Sequence, residues 1–303
     1  MQVRFHTLDV FTMYRFGGNP LAVVLDADEL TDEQMLKIAR EFNLSETIFA
    51  CRPKDKANSA SVRIFFPTGE MPFAGHPTVG CAVLLAELKN KATCSFQTEI
   101  RLEEVAGLVP VTVTRIADRI QAMFTAPVVP YPVDIKLPPK PKVAQALGIE
   151  PAEIGFDGHK LGVYEGGPRF FYVPVASRDI LAKCRVIEPM WTDVTQAMGV
   201  DNAYVYARGG DDPRTAFRGR MFAPAAGIPE DPATGSATAL LAAQLLQAES
   251  LADGRHVWEL EQGYEMGRPS ELHLEADVIA GRLAAVRVAG SAVRVSEGIL
   301  TLD

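Results

Sequence analysis

Apolar residues recur along the chain with two different spacings, and these spacings predict which segments are strands and which are helices. Residues 2–11 alternate apolar and polar side chains, which is typical of a strand with one buried face. Residues 30–42, LTDEQMLKIAREF, instead repeat apolar positions with helical spacing. Thr31 and Gln34 match a capping box at the start of this segment, so it is predicted to be a helix.

The same analysis predicts several further elements. Short apolar runs between turn residues predict strands at 21–25, 47–52, 60–66, 92–103 and 107–125. Residues 78–90, TVGCAVLLAELKN, are apolar on nearly all sides, which indicates a helix buried at the centre of a domain. A second long helix is predicted at about 234–248, and the chain from about 256 is strand-like. Residues 126–143 hold six prolines and are the predicted domain boundary.

Two segments about half the chain length apart resemble each other, and this predicts a duplicated fold. Residues 63–82 and 220–237 both run from Arg through Phe and Pro into a loop, and then into an Ala-rich helix. Their alignment sets His76 opposite Asp231. Chance similarity of two Pro/Gly loops is the alternative. We therefore expect two pseudo-symmetric α/β domains, 1–125 plus 291–303 and 126–290.

The two matched loops have the chemistry of anion sites. Proline near a helix start leaves the first N–H groups without an intrahelical partner, and glycine lets a ligand approach the backbone. The helix end also carries a partial positive charge. Most helix starts bind nothing, but here each loop is expected to place an ionisable residue, His76 or Asp231, at the helix start. A small carboxylate is the expected ligand.

Composition and charge exclude several classes of partner. The chain has 303 residues, of which 48% are hydrophobic, and its net charge is −8. It has no basic block that would follow a nucleic acid backbone, and no apolar segment long enough to span a membrane. The four cysteines are not spaced as metal ligands, so no metal site is expected. The first residues lack the apolar segment of a signal peptide, and a cytoplasmic location is expected.

Four motifs carry a resemblance to a known family. FGGNPLAVV, IAREFNLSET, FAGHPTVG and DPATGSA occur in this order, and together they resemble the signatures of the phenazine-biosynthesis PhzF-like family. The resemblance covers residues 5 to about 300. It implies an α/β fold of the diaminopimelate epimerase type. Such a fold has two similar domains, each a sheet wrapped around a central helix, with the active site in the cleft between them.

The resemblance also implies which residues form the site. It matches Glu46 to the family's catalytic acid/base, with His76 and Asp231 as further catalytic residues. The substrate contacts that it implies are Ser45, Gly75, Gly235, Ser236 and Asn19. It further implies a reaction that needs neither a metal nor an organic cofactor. A homodimer is expected on the same grounds.

The function that these features favour is a cofactor-independent isomerase acting on a small carboxylate. A lone glutamate between a helix and a strand is usually a surface residue. Glu46 is instead expected to point into the cleft, where a poorly hydrated carboxyl group suits proton transfer. The alternatives are a racemase, epimerase or lyase in the same cleft, and a non-catalytic carboxylate-binding protein. The two-thiol mechanism of the epimerases is not expected, since neither loop carries a cysteine.

Overall fold

The computed structural model describes residues 1–90 and 94–302, and its chain forms two units. Unit 1 comprises Met1–Pro127, Arg268–Glu271 and Val288–Asp303. Unit 2 comprises Val128–Gly267 and Leu272–Arg287. Four residues within the second predicted domain, Arg268–Glu271, are thus grouped with unit 1. Of the residues assigned to unit 1, 91–93 and 303 lie outside the described part.

Unit 1 contains two helices among its strands. In chain order these are β1 (Gln2–Val10), β2 (Asn19–Val24), α1 (Asp32–Phe42), β3 (Glu46–Cys51), β4 (Ala60–Phe66), β5 (Gly69–Met71), α2 (Gly75–Lys89), β6 (Phe96–Glu104), β7 (Gly107–Ile116) and β8 (Arg119–Thr125). The predicted strand at 107–125 is a hairpin, because the chain turns at Ala117, whose φ is 53°. The predicted strand at 92–103 begins on residues outside the described part, and its described portion is β6.

The strands of unit 1 form a ring around α2. Strand β1 is antiparallel to β2 and to the final strand, β2 is parallel to β3, and β3 is antiparallel to β4. The ring continues through β6, β7 and β8, and β8 pairs with the final strand. Helix α2 contacts most of these strands, which explains why it is apolar on all sides. Gly80 permits this packing, since a Cβ there would lie 2.5 Å from Leu21.

Helix α1 packs on the outside of this ring. Thr31 caps its N-terminus and Gln34 completes the capping box, as the sequence predicted. Met35, Ile38 and Ala39 are buried on one face of the helix. They belong to a cluster that includes Phe49 and Phe65 on the outer faces of β3 and β4. The start of β3, which follows directly after the helix, is not part of this cluster.

Unit 2 contains the remaining elements. These are β9 (Tyr131–Pro132), α3 (Lys140–Leu147), β10 (Gly162–Glu165), β11 (Arg169–Pro174), α4 (Arg178–Lys183), α5 (Met190–Met198), β12 (Ala203–Arg208), β13 (Thr215–Ala223), β14 (Ile228–Asp231), α6 (Gly235–Glu249), β15 (Gly254–Gln262), β16 (Ser270–Ile279) and β17 (Arg282–Thr301). Strand β16 begins, and β17 ends, on residues that belong to unit 1.

The central helix of unit 2 is α6, which contacts β9, β10 and β11. Tyrosine side chains from the sheet pack against it. The hydroxyl of Tyr172 donates to the Ala237 carbonyl at 2.5 Å, and Tyr204 and Tyr206 are buried nearby. On the other side of β11 and β12, a separate cluster contains Trp191 and Phe222. Each unit therefore has one buried helix against its sheet, as expected from the predicted fold.

Two paired contacts show that the units repeat one motif of strand, short strand, helix and strand. Arg63 of β4 binds both oxygens of Glu70 at 2.7 and 2.6 Å. Arg220 of β13 binds both oxygens of Glu230 at 2.8 Å in the same way. Repeated bidentate pairs at matching places in the motif are strong support for duplication.

The second repeated contact involves the strand that follows each central helix. Glu103 near the end of β6 accepts from the backbone N–H groups of Lys54 and Asp55, both at 2.8 Å. Glu261 near the end of β15 accepts from those of Asp211 and Asp212, both at 2.9 Å. Glu104 and Gln262, the next residues in each strand, therefore also correspond to each other.

The structure corrects the alignment that the sequence suggested between the two loops. Helix α2 begins at Gly75 and α6 begins at Gly235, so these two glycines correspond, and His76 corresponds to Ser236. The predicted match of His76 with Asp231 is wrong. The physical reason is the longer turn between β13 and β14, which contains an extra 3-10 turn at Pro224–Ala226.

Candidate functional site

Three predicted site residues, Asn19, Glu46 and His76, lie together in unit 1. Asn19 is the first residue of β2 and Glu46 is the first residue of β3. The two strands are parallel, with Leu21 opposite Glu46, so their first residues lie at the same edge of the sheet. His76, the second residue of α2, reaches the same edge.

The contacts of His76 indicate which ring nitrogen carries its proton. Its Nδ1 lies 3.3 Å from Oε2 of Glu46 and 3.4 Å from Nδ2 of Asn19. A neutral imidazole has one N–H and one accepting nitrogen. An N–H of Asn19 can only donate, so Nδ1 accepts from Asn19 and the neutral ring carries its proton on Nε2. The contact of Nδ1 with Glu46 is then a close approach of a neutral ring to a carboxyl group.

Burial keeps His76 neutral. Its side chain is 4% exposed, whereas that of Glu46 is 12% exposed. Loss of hydration lowers the pKa of His76 to about 3. Its Nε2 is buried and has no hydrogen-bond partner within the residues that the structure describes. The histidine can therefore orient and hydrogen-bond a reacting group as a neutral ring.

Ser45 and Gly75, which the sequence predicts as substrate contacts, directly precede Glu46 and His76 in the chain. Ser45 is half-buried and directly precedes β3, and Gly75 is the buried first residue of α2. Ala74 at the N-cap provides no side-chain hydrogen bond to the helix start. The first turn of α2 therefore keeps the features of an anion site, with the partial positive charge of a helix N-terminus beside Glu46 and His76.

Arg268 holds the loop before Asn19 through hydrogen bonds, and the sequence did not indicate this role. The guanidinium of Arg268 donates to the carbonyls of Gly18 and Gly17, at 2.7 and 2.6 Å, and to Asp9 at 2.6 Å. Asp9, which is 3% exposed, also accepts from the N–H of Phe16 at 2.6 Å. No pattern near Arg268 indicated this role, because its partners lie some 250 positions away in the chain.

The predicted residues of unit 2 form a second group. Asp231 ends β14, and its Oδ2 accepts from the Thr234 hydroxyl at 2.6 Å. Gln262 donates from Nε2 to the Asp231 carbonyl at 2.7 Å and to Oγ1 of Thr234 at 3.0 Å. Its Oε1 accepts from the Thr234 N–H at 3.1 Å. Asp231 and Gln262 are both buried, so this turn is held by a satisfied polar network.

The structure places Asp231 differently from its predicted position. It is the last residue of a strand and lies before the helix, whose first residues are Gly235 and Ser236. Ser236 is half-buried and Gly235 is buried. The prediction of an ionisable residue at both helix starts is therefore wrong for α6, because the Asp231–Thr234 hydrogen bond fixes a turn before the helix begins.

Gln262 and Thr234 were also missed by sequence reasoning. The available signal was the repeat itself, since Glu104 and Gln262 end corresponding strands. Recognising it required the correct alignment of the two loops. Over residues 1–90 and 94–302, no group of three His, Cys, Asp or Glu side chains is arranged to hold a metal ion. In the same part of the chain, every helix is too short or too polar to cross a membrane.

Three of the four cysteines, Cys51, Cys81 and Cys184, are buried or half-buried. Cys81 is fully buried in the middle of α2, where burial and the nearby Glu104 raise the pKa of its thiol. Cys184 is also buried, and burial raises its thiol pKa to about 12. Cys51 ends β3. A thiolate is the reactive form of cysteine, and these environments disfavour it.

Comparison with known proteins agrees with this architecture. The family described as phenazine biosynthesis-like protein, PhzC-PhzF, matches residues 8–298. An uncharacterised isomerase from Mesorhizobium japonicum is 40% identical over 304 residues, covering 99% of each chain. The trans-2,3-dihydro-3-hydroxyanthranilate isomerase of Pseudomonas aeruginosa is 32% identical over 295 residues, covering 97% of this chain and 98% of the relative.

A solved structure shows the same fold. The Bacillus anthracis phenazine biosynthesis protein of the PhzF family superposes with a TM-score of 0.88 at 24% identity, covering 100% of both chains. The family match extends over nearly the whole chain, and the relatives align from end to end. The chain therefore belongs to the PhzC-PhzF family of phenazine biosynthesis-like proteins.

Proposed function

We propose that this protein is an isomerase in which Glu46 moves a proton within a small carboxylate substrate. The observation that carries the proposal is the contact between Oε2 of Glu46 and Nδ1 of His76, at 3.3 Å beside the first turn of α2. A carboxyl group that is largely buried yet 12% exposed can reach a ligand while avoiding full hydration.

His76 supports this role as a neutral group. With Nδ1 accepting from the Asn19 amide, the ring carries its proton on Nε2 and stays neutral beside Glu46. Its buried Nε2 is an available contact for a polar group of the substrate. The hydrogen bond from Asn19 holds the ring in place. The proton can therefore leave and return to Glu46 without a charged imidazolium being formed.

The N-termini of the helices carry partial positive charge, which attracts the substrate carboxylate. The substrate carboxylate is held at the first turn of α2 and, as the family resemblance implies, at the turn of Asp231, Gly235 and Ser236. The interdomain cleft expected from the sequence is part of this proposal. Preorganised N–H groups favour negative charge that develops during the proton shift.

The substrate class follows from the relatives. The Pseudomonas relative is named for trans-2,3-dihydro-3-hydroxyanthranilate, a cyclic amino hydroxy carboxylate. We propose a substrate of that class for this chain. Glu46 takes a proton from one carbon and returns it to another, while the double bonds shift. The reaction is redox-neutral, and its balance requires no oxidant, reductant or second substrate.

The test is the Glu46→Gln variant, because Gln keeps the shape of Glu but cannot carry the proton. We expect turnover to fall by roughly 10²–10⁴-fold, the usual contribution of a positioned acid/base. The measurement is conversion of the dihydro-hydroxyanthranilate, with deuterium uptake from D₂O read by mass spectrometry. The control is Glu41→Gln, at an exposed position near the end of α1, which should keep full activity.

The outcomes separate the alternatives. An active Glu46→Gln enzyme overturns the mechanism. Deuterium uptake with inversion of a stereocentre indicates a racemase or epimerase, and loss of water or ammonia indicates a lyase. Binding without any uptake indicates a non-catalytic carboxylate-binding protein. A homodimer is also proposed from the family resemblance, and light scattering at micromolar concentration tests it.

A further inference from the structure

A second carboxyl group contacts the start of α2, and the mechanism above does not use it. Glu104 ends β6 and is 7% exposed. Its Oε1 lies 2.7 Å from the hydroxyl oxygen of Thr78, the fourth residue of α2. Its Oε2 is buried and has no hydrogen-bond partner in the described part of the chain. An ionised carboxylate would be costly in this position.

The hydrogen bonds of Thr78 indicate which form Glu104 takes. The Thr78 hydroxyl also lies 2.7 Å from the carbonyl oxygen of Ala74. A hydroxyl has one proton to donate, and a carbonyl can only accept. If Glu104 is ionised, Thr78 faces two acceptors and can satisfy one. If Glu104 is protonated, it donates to Thr78, and Thr78 donates to Ala74, so that both short contacts are hydrogen bonds.

The corresponding residue of unit 2 points to the same state. Gln262 occupies the place of Glu104 and braces the turn before α6 through Thr234 and the Asp231 carbonyl. Glutamine is a neutral side chain that closely matches protonated glutamate in shape. A neutral side chain thus fills the place of Glu104 in unit 2, although Gln262 contacts Thr234 before its helix whereas Glu104 contacts Thr78 within α2.

We propose that Glu104 is a protonated carboxylic acid that positions the first turn of α2, and that its ionisation weakens carboxylate binding at this turn. Burial independently raises the pKa of Glu104 to about 8, which agrees with the hydrogen-bond argument. The second half of the inference rests on the proposed function, since it places the substrate carboxylate at Gly75 and His76. A negative charge on Glu104 would repel that carboxylate.

The groups around Glu104 do not compensate its charge. In the first half of α2 the titratable groups are the neutral His76 and the buried Cys81 thiol, whose pKa is raised by burial and by Glu104. On β6, the neighbouring Glu103 binds the backbone of Lys54 and Asp55. Strand β7 places Gly107 opposite Glu104, and β4 places Ser61 opposite Glu103. Lys54 is the cation among these neighbours, and its charge acts on Glu103, whereas burial is the main cause of the pKa shift of Glu104.

The first test compares the stability of wild type and Glu104→Gln by urea unfolding from pH 5 to pH 9. The pKa of Glu104 is higher in the folded protein than in the unfolded chain, so its contribution to stability is present at acid pH and is lost up to about pH 8. The stability of the variant relative to wild type should therefore rise with pH. The ratio of the two unfolding constants should change by up to about tenfold per pH unit.

Glu103→Gln is the matched control, because the neighbouring carboxylate has the opposite shift. The Asn58 side chain and the N–H groups of Asp55 and Lys54 lower the pKa of Glu103. The contribution of Glu103 is complete above about pH 4.5 and is lost only as the pH falls below that value, so Glu103→Gln should differ from wild type by a constant amount from pH 5 to pH 9. A difference between Glu104→Gln and wild type that does not change with pH overturns the inference. If Glu104→Gln does not fold, carbon-13 NMR of wild-type glutamates decides, and the inference fails if every carboxyl titrates below pH 6.

The second test measures benzoate binding at pH 7 and pH 9 by calorimetry. Wild type should bind benzoate severalfold more weakly at pH 9, and Glu104→Gln should bind equally at both values. If both proteins lose the same benzoate affinity between pH 7 and pH 9, ionisation of Glu104 does not weaken carboxylate binding at the first turn of α2, and that half of the inference is wrong. If wild type binds no benzoate at either pH, the anion site and this link are both wrong, while the stability comparison still decides the protonation of Glu104.

Discussion

Nδ1 of His76 lies 3.3 Å from Oε2 of Glu46, in a position where the histidine is 4% exposed. An imidazole beside a carboxylate usually gains a proton, but here desolvation outweighs that attraction. The pKa of His76 is lowered to about 3. The two residues therefore meet as a neutral ring and a carboxyl group, and this relationship has a measurable consequence for stability.

Wild-type stability should fall as the pH is lowered from about 6.5 towards 3, in part because of His76. The unfolded chain binds a proton at this histidine near pH 6.5, whereas the folded protein does not until about pH 3. The contribution of His76 is thus present above pH 6.5 and is lost at up to about 1.4 kcal/mol per pH unit below it. His76→Gln should flatten this part of the profile, measured by urea unfolding.

His273→Gln provides the control, because its environment has the opposite effect. Hydrogen bonds from His273 to Glu259 and Glu275 raise its pKa. Its contribution to stability is present at low pH and is lost as the pH rises through the folded pKa. Parallel pH profiles for His76→Gln and wild type would contradict a neutral, buried His76.

Gly18→Ala should destabilise unit 1 and displace Asn19. The φ of Gly18 is +61°, and an added Cβ would lie 2.3 Å from the carbonyl oxygen of Val10. The left-handed conformation alone costs a non-glycine residue about 1–2 kcal/mol, and the contact adds to it. Thermal unfolding measures this loss. Gly69→Ala is the control, since its nearest neighbour would be Phe66 at an ordinary 3.5 Å, and its unfolding should change little.

Arg268→Met should destabilise the protein through the buried carboxylate of Asp9. The variant removes hydrogen bonds to Gly17 and Gly18 and leaves Asp9, whose side chain is 5% exposed, without its cation. Breaking a buried pair costs about 3–5 kcal/mol, and we expect the lower end because Arg268 is 27% exposed. Denaturant unfolding is the measurement.

Arg4→Met is the matched control for the Arg268–Asp9 ion pair. Arg4 and Asp26 form an ion pair at 2.7 Å, but their side chains are 65% and 70% exposed. An exposed pair contributes about 0–1 kcal/mol, so this variant should unfold almost as wild type does. Equal losses in Arg4→Met and Arg268→Met would show that Arg268 acts as an ordinary surface charge.

Local sequence was sufficient wherever one short segment contains all the interacting groups. The capping box of Thr31 and Gln34 predicted the start of α1, and that helix begins at Asp32. The apolar surface of α2 predicted a buried central helix, because a helix without a polar face must be covered on all sides. The motifs also named Asn19, Glu46 and His76, and these three residues lie together.

Tertiary structure alone decided the alignment of the repeat and the supports of the site. The sequence matched proline and glycine positions, but a helix begins where the preceding turn ends, and the two turns differ in length. Glu104, Gln262 and Arg268 interact with residues far away in the chain. Their roles come from burial and from the geometry of distant partners, and neither quantity is encoded in the spacing of residues along one segment.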